Sequence, residues 1–269
     1  MTTPFASTDT ADTDALFDLR GKVAFIPGGY GGIGEAIAQA LARHGAKVAV
    51  AGRNAAKAEA LAARLRETGM VARGLAMDAH SVASIRSAVD EVVAAWGAID
   101  ILVNCVGIQR EQTVLDVTEE AWDEVADVNI KAAMFVAQAV ARHQIAGGRG
   151  GKQVHLLSVR AQLGLRDRGY SAYCATKGAM VMLVKQHAME LACHRINVNG
   201  IAPTVVRTEM ARNWLDDPAR ATAIVERIPL GRIAEPRDIV GAAVFFCAAA
   251  SDFVTGQILY IDGGITAGQ

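Results

Sequence analysis

The sequence has few of the features that define several broad classes of protein. Its four cysteines are spread over 269 residues without a Cys-x-x-Cys pair or a histidine at metal-ligand spacing. No disulfide framework and no metal site are therefore expected, and the thiols are typical of a cytoplasmic protein. The net charge is −1, no basic block occurs and aromatics make up 5% of the chain, so no nucleic-acid partner is expected. No apolar run approaches the ~20 residues that cross a bilayer, so no membrane partner is expected.

The chain also lacks a linker rich in proline, glycine or serine. Residues 1–18 are polar and acidic, without the basic start and apolar middle of a secretory signal. We interpret them as a flexible N-terminal arm, with a role in oligomer contacts as the alternative. Residues 19–269 are predicted to form one domain, large enough to bury a core without covalent staples.

Short apolar runs alternate with longer helical segments along that domain. This order predicts an α/β fold, a doubly wound parallel sheet of about seven strands with helices on both faces. Asn54, Ser81 and Thr118 are predicted N-caps, and the helix that follows Thr118 is predicted to reach about Gln144. The predicted strands are Val23–Ile26, Lys47–Ala51, Val71–Met77, Ile99–Asn104, Gln153–Ser158, Arg195–Ala202 and Gln257–Ile261.

A glycine-rich stretch, Pro-Gly-Gly-Tyr-Gly-Gly-Ile-Gly at residues 27–34, joins the first strand to the first helix. Gly28 allows a tight turn, Gly32 allows the backbone to approach a pyrophosphate, and Gly34 allows the helix to pack on the strand. The helix N-terminus then offers unpaired N–H groups and a positive dipole end to the anion. The stretch predicts a Rossmann-type dinucleotide site, to which Tyr30 and Ile33 also belong.

The second strand indicates which dinucleotide is bound. In such folds an acidic residue after this strand accepts hydrogen bonds from the adenosine ribose. This chain has Gly52 there, followed by Arg53, which can pair with a 2′-phosphate. NADP(H) is therefore favoured over NAD(H), the alternative being that Arg53 is a solvated surface residue. Asp78, after the third strand, is a candidate for the adenine amino group or a cap for the next helix.

Tyr173 and Lys177 lie four residues apart on a predicted helix, so their side chains share a face. A free tyrosine has a pKa of ~10, and a neighbouring ammonium is expected to lower it. The pair therefore suits proton exchange during interconversion of a carbonyl and an alcohol. Ser158, at the predicted end of the fifth strand, can donate a hydrogen bond to the reacting oxygen. Asn129 places an amide inside a helix, where a buried polar group needs a partner.

These residues belong to a longer series of motifs. The series comprises the spacing of Gly28, Gly32 and Gly34, the stretch Asn104-Cys105-Val106-Gly107, the set Asn129, Ser158, Tyr173 and Lys177, the stretch Pro203–Thr208, and Asp262-Gly263-Gly264. From about residue 19 to 266 the chain resembles the short-chain dehydrogenase/reductase family. The resemblance implies an NAD(P)-dependent enzyme that acts on a small carbonyl or alcohol and assembles as a homotetramer.

The resemblance also implies roles for single residues. Tyr173 would exchange the proton of the reacting oxygen, Ser158 would hold that oxygen, and Lys177 would bind the nicotinamide ribose. Asn129 would support a water chain to solvent. The other residues implied at the cofactor are Asn104, Gly107, Pro203, Val206 and Thr208. Pro27 and Thr204 depart from the family's usual Thr and Gly, and the connection from Ser158 to Tyr173 is longer than usual.

That longer connection contains Arg160, Arg166 and Arg168. Arg160 is the preferred candidate for binding an anionic substrate, and the alternative is that these arginines are solvated or bridge subunits. Residues around 204–228, with Met210 and Trp214, are predicted to form a flap over the substrate. A sugar, polyol or sugar-acid dehydrogenase is the main functional hypothesis. A 3-oxoacyl thioester reductase and a catalytically silent dinucleotide-binding regulator are the alternatives.

Overall fold

The computed structural model describes residues 13–166 and 168–268. Its strands are β1 (Val23–Pro27), β2 (Lys47–Gly52), β3 (Ala72–Ala76), β4 (Ile101–Asn104), β5 (Gly151–Leu156), β6 (Ile196–Pro203) and β7 (Ile258–Ile261). They form one parallel sheet in the order β3-β2-β1-β4-β5-β6-β7, which confirms the predicted doubly wound architecture. The order reverses between β1 and β4, and a ligand crevice is expected at the carboxyl ends of these strands.

The helices cover both faces of the sheet. They are α1 (Gly32–Arg43), α2 (Ala55–Glu67), α3 (Val82–Trp96), α4 (Glu119–Ala126), α5 (Ala132–Gly147), α6 (Ser171–Leu191), α7 (Arg212–Leu215), α8 (Pro218–Val225) and α9 (Pro236–Cys247). One core cluster joins the sheet to α1, α2 and α9, and two others join it to α3, α5 and α6. The strands read as continuous apolar runs because they are buried on both faces.

The predicted helix caps are present. The side chains of Asn54, Ser81 and Thr118 each accept a hydrogen bond from the backbone N–H three residues later. Two predicted boundaries are wrong. The helix from Thr118 is interrupted by a π-helical segment at Asp127–Lys131, and β5 ends at Leu156, so Ser158 follows the strand instead of ending it. A π-helical turn is set by tertiary packing, and side-chain periodicity does not reveal it.

Pro27 ends a strand in the middle of the sheet, where a missing N–H would ordinarily break the ladder. Its carbonyl still accepts a hydrogen bond of 2.9 Å from the N–H of Cys105, and Gly28 N donates to Ala51 O at 2.8 Å. The departure from threonine at this position therefore leaves the link between β1 and the loop after β4 intact.

The predicted N-terminal arm and the predicted flap both differ in part from expectation. Within the predicted arm, residues 1–12 lie outside the described residues, while Ala15–Phe17 form a 3₁₀ turn. Phe17 packs against the core, and its carbonyl lies 3.1 Å from Nδ1 of His44. The predicted flap contains α7 and α8, but Val206, inside its predicted range, is buried and bridges to Ala234. The segment therefore leaves the body of the domain after Val206.

Candidate active site

A cleft of about 710 Å³ opens at the carboxyl ends of the strands, at the crevice that the strand order predicts. The glycine turn, the loops that follow β2, β4, β5 and β6, and helices α6 to α8 contribute its lining. Residues that the sequence predicts for the site and that line the cleft are Gly28, Tyr30, Gly32, Ile33, Gly34, Arg53, Gly107, Ser158, Arg160, Tyr173, Lys177, Pro203, Val206 and Thr208. Asn104, Asn129 and Asp78 lie outside this lining.

The glycine turn fits a diphosphate. Gly28 has φ +74°, and a Cβ there would lie 2.8 Å from the carbonyl of Cys105. A Cβ on Gly34 would lie 2.5 Å from the carbonyl oxygen of Gly28, so the turn and the helix can approach only as glycines. Gly31 precedes α1 without a side-chain cap, and its Cβ position is open to space. Residues 31–34 line the cleft, so the uncapped first turn of α1 borders it, as an anion-binding helix N-terminus requires.

The far end of the cleft is shaped by Gly52 and Tyr30. A Cβ on Gly52 would lie 2.1 Å from Cε1 of Tyr30, so the ring of Tyr30 covers the position where related folds carry an acidic residue. Arg53 is exposed and lines the cleft together with His80. The carboxylate of Asp78 accepts a hydrogen bond of 3.1 Å from His80 N, in a turn that precedes the N-cap Ser81, so the carboxylate does not itself cap α3.

Tyr173 and Ser158 meet inside the cleft. Tyr173 lies in the first turn of α6 and lines the cleft with Ser158, whose side chain is close enough to act on the pKa of Tyr173 and partly offsets the rise caused by burial. The Ser158 hydroxyl also accepts a hydrogen bond of 3.2 Å from Arg160 N, which orients it. A carbonyl oxygen placed between the two hydroxyls would therefore face two hydrogen-bond donors.

Lys177 lies one turn further along α6 and is 4% exposed. Its Nζ is 5.6 Å from the ring centroid of Tyr173 and donates a hydrogen bond of 2.8 Å to the carbonyl of Leu156. The predicted lowering of the Tyr173 pKa is not what this structure shows. Burial raises the pKa of Tyr173 to about 12, and burial lowers the pKa of Lys177 to about 8. Burial prevails because it disfavours the phenolate and the ammonium alike.

Asn129 lies in the π-helical segment and is 1% exposed. Its Oδ1 accepts from Ile108 N at 2.8 Å, and its Nδ2 donates to Ile108 O at 2.9 Å and to Oγ1 of Thr176 at 3.1 Å. Thr176 in turn donates to the carbonyl of Tyr173 at 2.9 Å. Asn129 therefore ties the loop after β4 to the helical turn that carries Tyr173. The amide that reaches both the loop after β4 and α6 thus lies in the π-helical segment.

The loop after β4 forms the floor of the cleft. Asn104 is 2% exposed, and its Oδ1 accepts a hydrogen bond of 3.2 Å from Val106 N. A Cβ on Gly107 would lie 3.5 Å from Nζ of Lys177 and 3.6 Å from Oδ1 of Asn129, so this glycine lies between the two polar groups. Across the cleft, Thr208 lies against the glycine turn, where a Cβ on Gly32 would come within 2.9 Å of its methyl group.

The arginines of the longer connection differ in their surroundings. Nη1 of Arg160 donates to the carbonyls of Leu163 and Gly164, at 3.2 and 2.6 Å, and burial lowers the pKa of Arg160. Arg168 pairs with Glu111 through two hydrogen bonds. Arg166 is exposed at the cleft lining. Arg160 and Arg168 therefore stabilise the loop, and Arg160 also lies within reach of the cleft.

Tyr170 and Arg227 line the cleft and were missed by sequence reasoning. The guanidinium of Arg168 lies 5.7 Å from the ring centroids of both Tyr170 and Trp214, which joins the loop to the flap. Tyr170 also lies edge-on to Trp214, with centroids 6.4 Å apart. Arg227, beyond α8, completes the cationic lining. The signal available was composition, because aromatic residues and arginines cluster in the two segments that flank the substrate position.

Three observations concern features that take no part in hydride transfer. Burial raises the pKa of Cys105 to about 12, so its thiol stays protonated and is a poor nucleophile. Among residues 13–166 and 168–268, no cluster of His, Cys, Asp or Glu side chains could hold a metal ion. Within the same ranges, no helix has the length and apolarity needed to cross a membrane.

Comparisons with known proteins agree on the class of chemistry. The family model described as enoyl-(acyl carrier protein) reductase matches residues 29–266. The 5-keto-D-gluconate 5-reductase of Escherichia coli K12 is 38% identical over 250 residues, 93% of this chain and 97% of that protein. The D-threitol dehydrogenase of Mycolicibacterium smegmatis is 40% identical over 253 residues, 94% and 96% of the two chains.

A solved structure matches this chain with a sequence identity and coverage comparable to those of these relatives. The gluconate 5-dehydrogenase from Burkholderia cenocepacia J2315, in complex with NADP and tartrate, superposes with a TM-score of 0.90. The two chains are 40% identical, and the match covers 96% of this chain and 100% of that chain. The similarity therefore spans the glycine turn, the cleft and the flap together.

Proposed function

Because this chain belongs to the short-chain dehydrogenase/reductase family and is an NAD(P)-dependent oxidoreductase, we propose that it interconverts a keto sugar acid and the corresponding secondary alcohol with NADP(H). The observation that supports this most directly is the meeting of Tyr173 and Ser158 in the same cleft as the glycine turn. Relatives named for gluconate and keto-gluconate chemistry support the substrate class. The tartrate bound by the Burkholderia relative is itself a hydroxy acid.

The chain's own groups divide the work of ketone reduction. Ser158 and Tyr173 hold the carbonyl oxygen by hydrogen bonds, and Tyr173 donates its phenolic proton to that oxygen. A phenol whose pKa is about 12 remains protonated at neutral pH, so it is present in the acid form that reduction needs. The nicotinamide, when bound, supplies the hydride to the carbon. Lys177 holds the ribose, and Asn129 acts through Thr176 as a positioning residue.

NADP(H) preference rests on Gly52, Tyr30 and Arg53. No carboxylate follows β2 to repel a 2′-phosphate, and the guanidinium of Arg53 is exposed at the cleft without an ion-pair partner among the described residues. Arg53→Ala is expected to raise the KM for NADPH about tenfold and to leave the KM for NADH unchanged. Lys57→Ala is a matched control, because Lys57 is an exposed cation on α2 that does not line the cleft.

A homotetramer is part of the proposal, on the resemblance to the family. Sedimentation velocity on the purified protein is the direct test. A single species at four times the mass of the 28.3 kDa chain is expected, whereas a monomer would refute this part alone.

Substrate class is tested by a panel of ketones at 340 nm, where reduced nicotinamides absorb. The panel contains 5-keto-D-gluconate, the uncharged ketose erythrulose and a 3-oxoacyl thioester, each with NADPH and with NADH. The largest kcat/KM is expected for the keto acid with NADPH, and Tyr173→Phe is expected to abolish it. A larger kcat/KM for the thioester would replace the proposal with the 3-oxoacyl thioester reductase.

A further inference from the structure

The lining of the cleft carries a strong excess of positive charge. Among the described residues it contains six arginines and Lys177, against one carboxylate, Glu209. Arg53 lies at the far end, beside Gly52, and the other five arginines line the remainder of the cleft. Such an excess raises the local concentration of anions and strengthens their binding in a partly enclosed cleft.

Three of these five arginines already have partners. Arg168 pairs with Glu111, Arg220 pairs with Asp217 at 3.1 Å, and Arg160 donates to two loop carbonyls. Arg227 makes no side-chain hydrogen bond or ion pair within the described parts of the chain. Arg166, on a turn of the connection, is exposed and likewise makes no side-chain hydrogen bond or ion pair with the described residues, so it is the other unpaired arginine of the five. The five donors of Arg227 are therefore available to a ligand.

The backbone around Arg227 is anchored although its side chain is exposed. Arg227 N donates to Ile224 O at 3.2 Å, and Ile228 N donates to Val225 O at 2.9 Å. Ile228 is 3% exposed and packs beside Gly263. Arg227 therefore lines the cleft from a fixed backbone position at the base of the flap, beyond α8. A cation held there can bind a substrate and couple its binding to the position of the flap.

We propose that Arg227 is the residue that binds the substrate carboxylate and so sets the preference for sugar acids over uncharged sugars. This inference rests on the proposed function and names the group that would recognise the acid. Arg160 has a supporting role. Its guanidinium is bound to Leu163 and Gly164, and its pKa is lowered mainly by burial and in small part by repulsion from the charge of Arg227. A carboxylate at Arg227 relieves that repulsion.

The test compares Arg227→Gln with the parent on 5-keto-D-gluconate and on erythrulose. A charge-assisted hydrogen bond that forms equally in the ground state and the transition state affects KM and leaves kcat unchanged. The KM for the keto acid is expected to rise about 10- to 100-fold, while the KM for erythrulose changes less than about twofold. Inhibition by tartrate is expected to weaken by a similar factor. The KM of Arg227→Lys for the keto acid should fall between that of the parent and that of Arg227→Gln.

Arg220→Gln is the matched control. It removes the same charge from α8, also at the cleft lining, but Arg220 is paired with Asp217. Its effect on the KM for the keto acid should stay within about threefold. Equal KM changes for both substrates with Arg227→Gln, or equal effects of the Arg220 and Arg227 variants, would overturn the inference. If the parent reduces erythrulose better than the keto acid, the proposed substrate class fails instead, and the two failures are thereby distinguished.

Discussion

Replacing Lys177 by methionine tests whether a functional cation destabilises the folded protein. Lys177 is 4% exposed, and burial lowers its pKa from the usual 10.5 to about 8. A fold that lowers the pKa of a lysine disfavours its charged form, so below pH 8 the charge reduces the free energy of unfolding. The difference between 10.5 and about 8 corresponds to roughly 3 kcal/mol at neutral pH.

The methionine variant removes that destabilisation but also loses the hydrogen bond from Nζ to the carbonyl of Leu156. This bond contributes about 1–2 kcal/mol. At pH 7 the free energy of unfolding is therefore expected to be higher in the variant by about 1–2 kcal/mol, a rise in Tm of about 2–8 °C. Activity is expected to be lost, since the ribose would lose its cation. Such an exchange of stability for function is common at active sites.

The dependence of the free energy of unfolding on pH is the more specific test of the Lys177 charge. In the unfolded chain the lysine keeps its proton up to about pH 10.5, whereas in the folded protein it releases it near pH 8. Between these values the unfolded chain binds more protons, so the parent gains stability as the pH rises. Relative to the variant, this gain should be about 2 kcal/mol from pH 7 to pH 9.5.

Urea unfolding followed by circular dichroism at pH 7, 8 and 9.5 measures both quantities. Lys185→Met is the matched control, because Lys185 is exposed on the same helix and its replacement should leave the pH dependence unchanged. A difference in stability between the Lys177 variant and the parent that stays constant from pH 7 to 9.5 would refute the reasoning.

Three further predictions concern the cleft. Tyr173→Phe should lower kcat by at least about 100-fold while NADPH fluorescence titration gives an unchanged Kd; retained turnover would remove Tyr173 as the acid. Gly28→Ala should lower the free energy of unfolding by about 1–3 kcal/mol and weaken NADPH binding, because its Cβ would meet the Cys105 carbonyl at 2.8 Å. Gly31→Ala is the control, and because its Cβ would point into open space, thermal melts should show a stability within about 0.5 kcal/mol of the parent. Arg168→Ala should speed proteolysis within residues 207–228, since it removes the contact of the loop with Trp214; an unchanged cleavage rate would contradict that link.

Much of the architecture was predictable because its signals are local. The apolar runs gave all strands of the sheet, and the caps at Asn54, Ser81 and Thr118 depend on residues only three positions away. The glycine turn was readable from its spacing between a strand and a helix, although Cys105 and Thr208, which are distant in sequence, impose part of its steric requirement. The π-helical segment at Asn129 was not readable, because it depends on partners in the loop after β4 and in α6.

The site was predictable as a set of residues but not as an electrostatic environment. The pKa of Tyr173 was expected to be lowered by the neighbouring ammonium of Lys177. Their pKa values instead follow burial, which comes from strands and helices distant in sequence. The same holds for the arginines, since Arg168 is neutralised by Glu111, which lies 57 residues earlier in the chain.

The amino-acid sequence by itself determined the doubly wound fold, the dinucleotide turn and the identities of the reacting side chains. These depend on periodicity, glycine spacing and residue chemistry, all of which are apparent over short stretches of chain. Only the tertiary structure decided which cations are paired, which amides are bridged and how far each acid and base is removed from water. Those properties depend on dielectric surroundings and on contacts between residues far apart in the chain, and such contacts exist only once the chain has folded.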